Sequence, residues 1–235
     1  MKNFIVLDTE TAPTETFFDG RVYPETSRVY DLGWIVSDGE NILAERSFII
    51  AETFFNHALM NSAYYASKLP QYYEGMGREW KVVSFLEAWR AFKQDVRDYG
   101  VSDVWAFNAR FDEMACNATI RDYSNGFQSF FIPYGIRVRD IWDYAGGSVC
   151  NTTKYVKWCM ENEKLTASNN PSTSAETIYQ YLTGTIDFIE NHTALQDCHC
   201  ELFILNKARK RKQKTRHSKG QGWRDAAKIK KELTK

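Results

Sequence analysis

The residues of this chain that could do chemistry fall in three short patches: Asp8-Thr9-Glu10, Asn108-Ala109-Arg110-Phe111-Asp112 and His192-Thr193-Ala194-Leu195-Gln196-Asp197. Together they supply four carboxylates and one imidazole. That set is what hydrolysis of a phosphodiester between two divalent ions requires: carboxylates to hold the ions on either side of the phosphate, and a base to deprotonate the attacking water. Asp8 and Glu10 alone already ask for a cation, because two like charges that close raise each other's pKa and cost free energy when nothing lies between them. All-oxygen ligands favour Mg2+ or Mn2+ over zinc, so two such ions are the expected cofactors.

The elements that must position these groups are legible around them. Phe4-Ile5-Val6-Leu7 is a continuous apolar run, which suits a strand buried on both faces, and it ends abruptly in charge. Residues two apart on a strand share a side, so Asp8 and Glu10 lie next to each other at its end. Asp103 to Phe107 reads as a second buried strand, with Asn108 as N-cap of the helix that carries Asp112. Thr193-Ala194-Leu195-Gln196 has the form of a capping box, which places His192 just outside a helix and Asp197 in its first turns. Those two positions meet in a hydrophobic staple, so the imidazole and the carboxylate are expected at one edge of the helix start.

Between the patches, Arg28 to Ser37 and Ile42 to Ile49 read as strands joined by a turn at Asp38-Gly39. Ser84-Phe85-Leu86-Glu87 is a capping box that opens a long helix running to Gly100, and a strand is expected around Ile136 to Val138. Thr173-Ser174-Ala175-Glu176 caps a helix that ends at Gly184. The segment from Thr53 to Trp80 is rich in rings (Phe54, Phe55, Tyr64, Tyr65, Tyr72, Tyr73, Trp80), most of them expected in the core and a few available to stack bases.

Order, residue types and local context of the three patches resemble the DEDDh family of 3′ to 5′ exonucleases, the proofreading-exonuclease branch of the ribonuclease H-like superfamily. The resemblance spans about residues 4 to 205. The run from Tyr179 through Gly184 to Leu195 looks most like small stand-alone exonucleases of bacteriophages and their hosts. One departure touches a supporting residue: Phe107 stands where the family usually has histidine. The resemblance implies an α/β fold with a ribonuclease H-like mixed sheet, three antiparallel strands then parallel strands, flanked by helices. It implies Asp8, Glu10, Asp112 and Asp197 as metal ligands, His192 as general base, and Thr9, Thr11 and Asn108 as substrate contacts. It also implies nucleotides removed one at a time from single-stranded 3′ ends as 5′-monophosphates. DNA is favoured, with RNA as the alternative substrate, and a nucleic-acid-binding or replication accessory module as the alternative of another class.

Bulk properties are compatible with this. The 235 residues suit one exonuclease domain over 1–206 and a basic tail over 207–235, flexible or a short helix. No apolar stretch approaches the roughly 18 to 20 residues of a membrane span, and the N-terminus enters a strand at once, so no membrane partner and a cytoplasmic location are expected. Five cysteines, an odd number, read as reduced thiols, and Cys198-His199-Cys200 cannot converge on one ion because helical neighbours point apart. The net charge of zero hides a division. Lys207 to Lys235 holds 13 basic and 2 acidic residues, about +11, against an equally acidic body. Such a tail either attracts nucleic acid through its phosphates or serves as a solubilising segment. Ala226, Ile229 and Leu233 at helical spacing also suit docking of a replication protein.

Overall fold

The computed structural model describes residues 2–15, 23–63, 66–211 and 222–234. Tyr64, Tyr65 and residues 212–221 of the expected tail lie outside the described residues. The chain divides into two compact units: residues 1–139 with 191–198, and residues 140–190 with 199–235.

The first unit is built on a six-stranded mixed sheet. Its strands are β1 (Phe4–Pro13), β2 (Ser27–Ser37), β3 (Ile42–Ile50), β4 (Lys81–Val83), β5 (Asp103–Ala106) and β6 (Arg137–Asp140), in the spatial order β4-β3-β2-β1-β5-β6. β1, β2 and β3 are antiparallel neighbours, and β5 adds to β1 in parallel. This is the ribonuclease H-like arrangement expected above. β4, a three-residue strand parallel to β3, is too short to carry a sequence pattern. Phe4, Ile5, Val6 and Leu7 are buried on both faces, as a central strand requires.

Ile5 and Leu7 pack into a core with Trp34, Phe48, Phe85, Phe92 and Phe131, under α4 (Phe85–Asp98) and α5 (Ala109–Tyr123). The capping box that opens α4 forms in full: the Ser84 hydroxyl accepts from Glu87 N–H, and the Glu87 carboxylate accepts from Ser84 N–H at 2.8 Å. The aromatic segment folds as α1 (Ala51–Phe54), α2 (His57–Met60) and α3 (Leu69–Gly75). Phe54, Tyr72 and Trp80 join Tyr30 in a second core, while Phe55 and Tyr73 stay half exposed.

The second unit contains α6 (Ile141–Ala145), a π-helical turn over Gly146–Cys150, α7 (Thr153–Glu161) and α8 (Ala175–Thr183), then all but the first residues of α9 (Ala194–Lys210), and α10 (Gly222–Leu233). The cap of α8 is Ser174, whose hydroxyl accepts from Thr177 N–H. This is one residue later than a box starting at Thr173. Lys207 to Lys210 continue α9, and α10 packs against α7 and the π turn. A Cβ on Gly222 would lie 2.3 Å from Gly146 Cα, so backbone meets backbone there. All five cysteines are free and buried. No described helix is long and apolar enough to cross a membrane.

Candidate active site

Asp8 and Glu10 lie within β1 and not at its end as the sequence suggests, because the pairing with β2 resumes after Glu10 and carries the strand on to Pro13. A register shift between Glu10 and Thr11 breaks its ladder with β2 next to Glu10, the kind of irregularity that re-aims a side chain. Asp8 is half buried and Glu10 buried. Asp112 lies in the first turn of α5, buried, and its Oδ1 accepts a 2.8 Å hydrogen bond from the Thr9 hydroxyl. Asn108 occupies the N-cap position but makes no side-chain cap bond. It adopts a left-handed conformation, φ 63°, and is exposed, so the capping role expected for it is replaced by a turn.

His192 and Asp197 come together as the helix-start geometry predicts, with Nδ1 3.9 Å from Oδ2. Ligand-competent atoms of Glu10, His192 and Asp197 all lie within 4.8 Å of one another. Asp8 and Asp112 fall outside this tight trio, and of the two it is the charge of Asp112 that acts on Glu10. The Cys116 thiol is pushed well up by burial and then by the charges of Asp112 and Asp8. Thr11, half buried, follows the register shift.

The capping box expected at Thr193 does not form. The Thr193 hydroxyl is buried and makes no hydrogen bond, and the Gln196 carbonyl accepts instead from the Asn191 amide at 2.5 Å. The first helical N–H, that of Ala194, donates 2.9 Å to Oδ2 of Asp31, a fully buried residue of β2. The same oxygen accepts from the Tyr72 hydroxyl at 2.8 Å. The backbone of α9 comes so close to β2 that a Cβ on Gly33 would lie 2.4 Å from Leu195 N. Asp31 and Gly33 are functional candidates that sequence reasoning missed. The available signal was a charge inside the otherwise apolar run of β2, a placement that is costly unless the charge is used. Lys68 is a third: it donates to the Asn191 carbonyl and is the cation that partly offsets Glu10.

Electrostatics identify a crowded acidic site. Burial, followed by the charges of Asp197, Asp31 and Asp112, pushes the Glu10 carboxyl up to about 10. Burial also raises Asp31 to about 6, against the hydrogen bonds from Ala194 N–H and Tyr72. A carboxylate surrounded by carboxylates in a poorly solvated pocket is the donor set a divalent cation satisfies, so these residues fit the expected metal.

The sheet order and the helices on it define a ribonuclease H-like fold. The solved structures similar to it include Exonuclease I in its apo form, at 14% identity and TM-score 0.60 over 90% of this chain and 43% of that one. E. coli Exonuclease I in complex with a dA16 oligonucleotide matches at 15% identity and TM-score 0.59, with 90% and 41% covered. A zinc-bound form of the E. coli enzyme with single-stranded DNA matches at 15% identity and TM-score 0.56, with 90% and 41% covered. The chain therefore spans about two fifths of the length of these structures. No family model and no curated protein sequence matches it.

Proposed function

We propose that this protein is a 3′ to 5′ exonuclease that hydrolyses the terminal phosphodiester of single-stranded DNA and releases 5′-mononucleotides. The observation that carries the reading is the convergence of Glu10, His192 and Asp197 beside Asp112, on a central strand of a sheet built like that of Exonuclease I. In this reading Asp8, Glu10, Asp112 and Asp197 hold two divalent ions, Mg2+ or Mn2+. Such ions, when bound, supply Lewis acidity to the phosphate. Thr9 donates to one oxygen of Asp112 and so fixes that carboxylate.

His192 accepts a proton at an imidazole nitrogen from the water that attacks phosphorus, and Asp197 orients the ring from the Nδ1 side. The bond from phosphorus to the 3′ oxygen of the preceding nucleotide breaks. That oxygen leaves as the new 3′ hydroxyl once protonated, and the freed nucleotide keeps its phosphate on the 5′ carbon. Thr9, Thr11 and Asn108 contact the terminal nucleotide. Phe55 and Tyr73, the half-exposed rings of the aromatic segment, offer faces on which bases stack irrespective of sequence. The basic segment 207–235, with Arg224, Lys228 and Lys231 exposed on α10, contributes phosphate contacts or docks a replication protein.

The test is incubation of the purified protein with end-labelled single-stranded DNA and RNA in Mg2+, Mn2+ or EDTA. A ladder of products shortened from the 3′ end, with mononucleotides released, is expected on DNA with either metal and none with EDTA. Degradation confined to RNA would transfer the chemistry to that substrate. Binding without any cleavage would make the chain an accessory module.

A further inference from the structure

The segment around His192 is held in an unusual way. His192 adopts a left-handed backbone conformation, φ 52°, which a non-glycine residue keeps only where its surroundings over-determine it. Its own sequence neighbours do little of that. Thr193, at the position where a side chain normally caps the helix, leaves its hydroxyl without a hydrogen bond. The Asn191 amide donates to the Gln196 side-chain oxygen and Lys68 donates to the Asn191 carbonyl, while the helix start itself is held from β2 and α3. The Asp31 carboxylate accepts from Ala194 N–H, two residues after His192, and is itself held by the Tyr72 hydroxyl. The backbone at Gly33 abuts Ala194 and Leu195. Asp31 also sits directly across the ladder from Glu10.

We propose that Asp31, supported by Tyr72, is a positioning residue: its buried carboxylate anchors the start of α9 and so fixes the His192 imidazole against Glu10 and Asp197. A local cap such as a serine hydroxyl accepts from the N–H two or three residues on and would tie α9 only to its own preceding turn. A cap supplied by β2 ties the two halves of the candidate site together across 163 residues of sequence. The Tyr72 hydroxyl, donating to the same oxygen, removes the freedom of that carboxylate to rotate away. This inference rests on the exonuclease reading for its catalytic consequence and on the hydrogen bonds alone for its structural part.

The experiment compares Asp31→Ala, Asp31→Asn and Tyr72→Phe with the wild-type chain in two readouts. The first is kcat and KM on a short single-stranded oligonucleotide. Asp31→Ala is expected to lower kcat about 100-fold, the cost of a misplaced catalytic group, with KM within about threefold. Asp31→Asn, whose amide oxygen still accepts from both donors, is expected to stay within about threefold of wild type. The second readout is NMR without substrate, where four histidines leave the His192 ring signals resolvable. The Ala194 amide is expected to be protected from exchange in the wild type. The His192 ring shifts should move in Asp31→Ala and return in Asp31→Asn. If Asp31→Ala does not fold, Tyr72→Phe carries the test, with faster Ala194 exchange and a shifted His192 ring expected. Equal losses in Asp31→Ala and Asp31→Asn, or an Ala194 amide that exchanges freely in the wild type, would overturn the proposal. A wild-type protein with no nuclease activity would count against the exonuclease reading alone, because the NMR comparison still decides the anchor.

Discussion

Asp8→Ala and Asp112→Ala are each expected to abolish cleavage while the protein stays folded, because in the proposed two-ion site each removes a ligand from a clamp that works as a unit. Activity within tenfold of wild type for either, on an oligonucleotide with Mg2+, would sink the metal-ligand assignment. His192→Ala should retain metal and substrate binding but lose about a hundred- to ten-thousandfold in rate. Loss of metal affinity instead, measured by calorimetry, would make His192 a ligand, which its place in the trio with Glu10 and Asp197 makes a real alternative. Glu10 also gives a pH prediction. Its folded-state pKa is pushed up to about 10, above the ordinary carboxylate value, so the native state without metal holds a proton that the unfolded chain releases. The contribution of Glu10 to stability is then full below about pH 4.5 and is lost as pH rises toward 10, with a limiting slope of about 1.4 kcal/mol per pH unit. Asp31, raised to about 6, adds to the loss on the acid side of that window. Thermal melts in EDTA should show the decline, and Glu10→Gln should flatten it. A melting temperature that rises between pH 6 and 9 would contradict this account.

At the scale of single elements, what could be read from the sequence was whatever short-range chemistry decides. The buried run of β1 and the Ser84 capping box of α4 formed as expected, because each depends on residues a few positions apart. The Thr193 box, equally good on paper, does not form, and the helix start is instead held by Asp31, whose bond to the Ala194 N–H no local pattern contains. The trio of Glu10, His192 and Asp197 was therefore foreseeable in membership, while the groups that hold it in place, Asp31, Tyr72, Gly33 and Lys68, were not. Gly33 illustrates the difference. In the sequence it is a small residue inside a strand, and in the fold it is the point where β2 and the start of α9 touch backbone to backbone. Gly33→Ala must push α9 outward and is expected to cost about 1–3 kcal/mol in chemical denaturation, as overpacked sites do. It should also lower kcat, since the displaced turn carries Asp197. A fully active, fully stable Gly33→Ala variant would show that the close approach is not needed.

For the whole molecule, the expected separation of an acidic body from a basic tail takes a more definite form, since α10 is packed into the second unit through Gly222 and Ala226. Cutting the chain at Asn206 would strip that unit of a helix, so charge substitution tests the tail more cleanly. Replacing Arg224, Lys228 and Lys231 by glutamine leaves the packed face of α10 intact. If all three contact phosphates, the slope of log affinity against log salt for a long single strand should fall by about 2, at roughly 0.7 per contact. An unchanged slope would leave the basic segment as a solubilising or protein-docking element. The five free cysteines, all shielded in the interior, bear on how such experiments can be done. Thiol reagents attack exposed thiolates, and burial keeps Cys116, Cys150 and Cys159 protonated as well as covered. A cysteine introduced at an exposed position such as Asn108 would thus be the sole reactive thiol of the native protein. A fluorophore could be attached beside the candidate site with every native cysteine left in place.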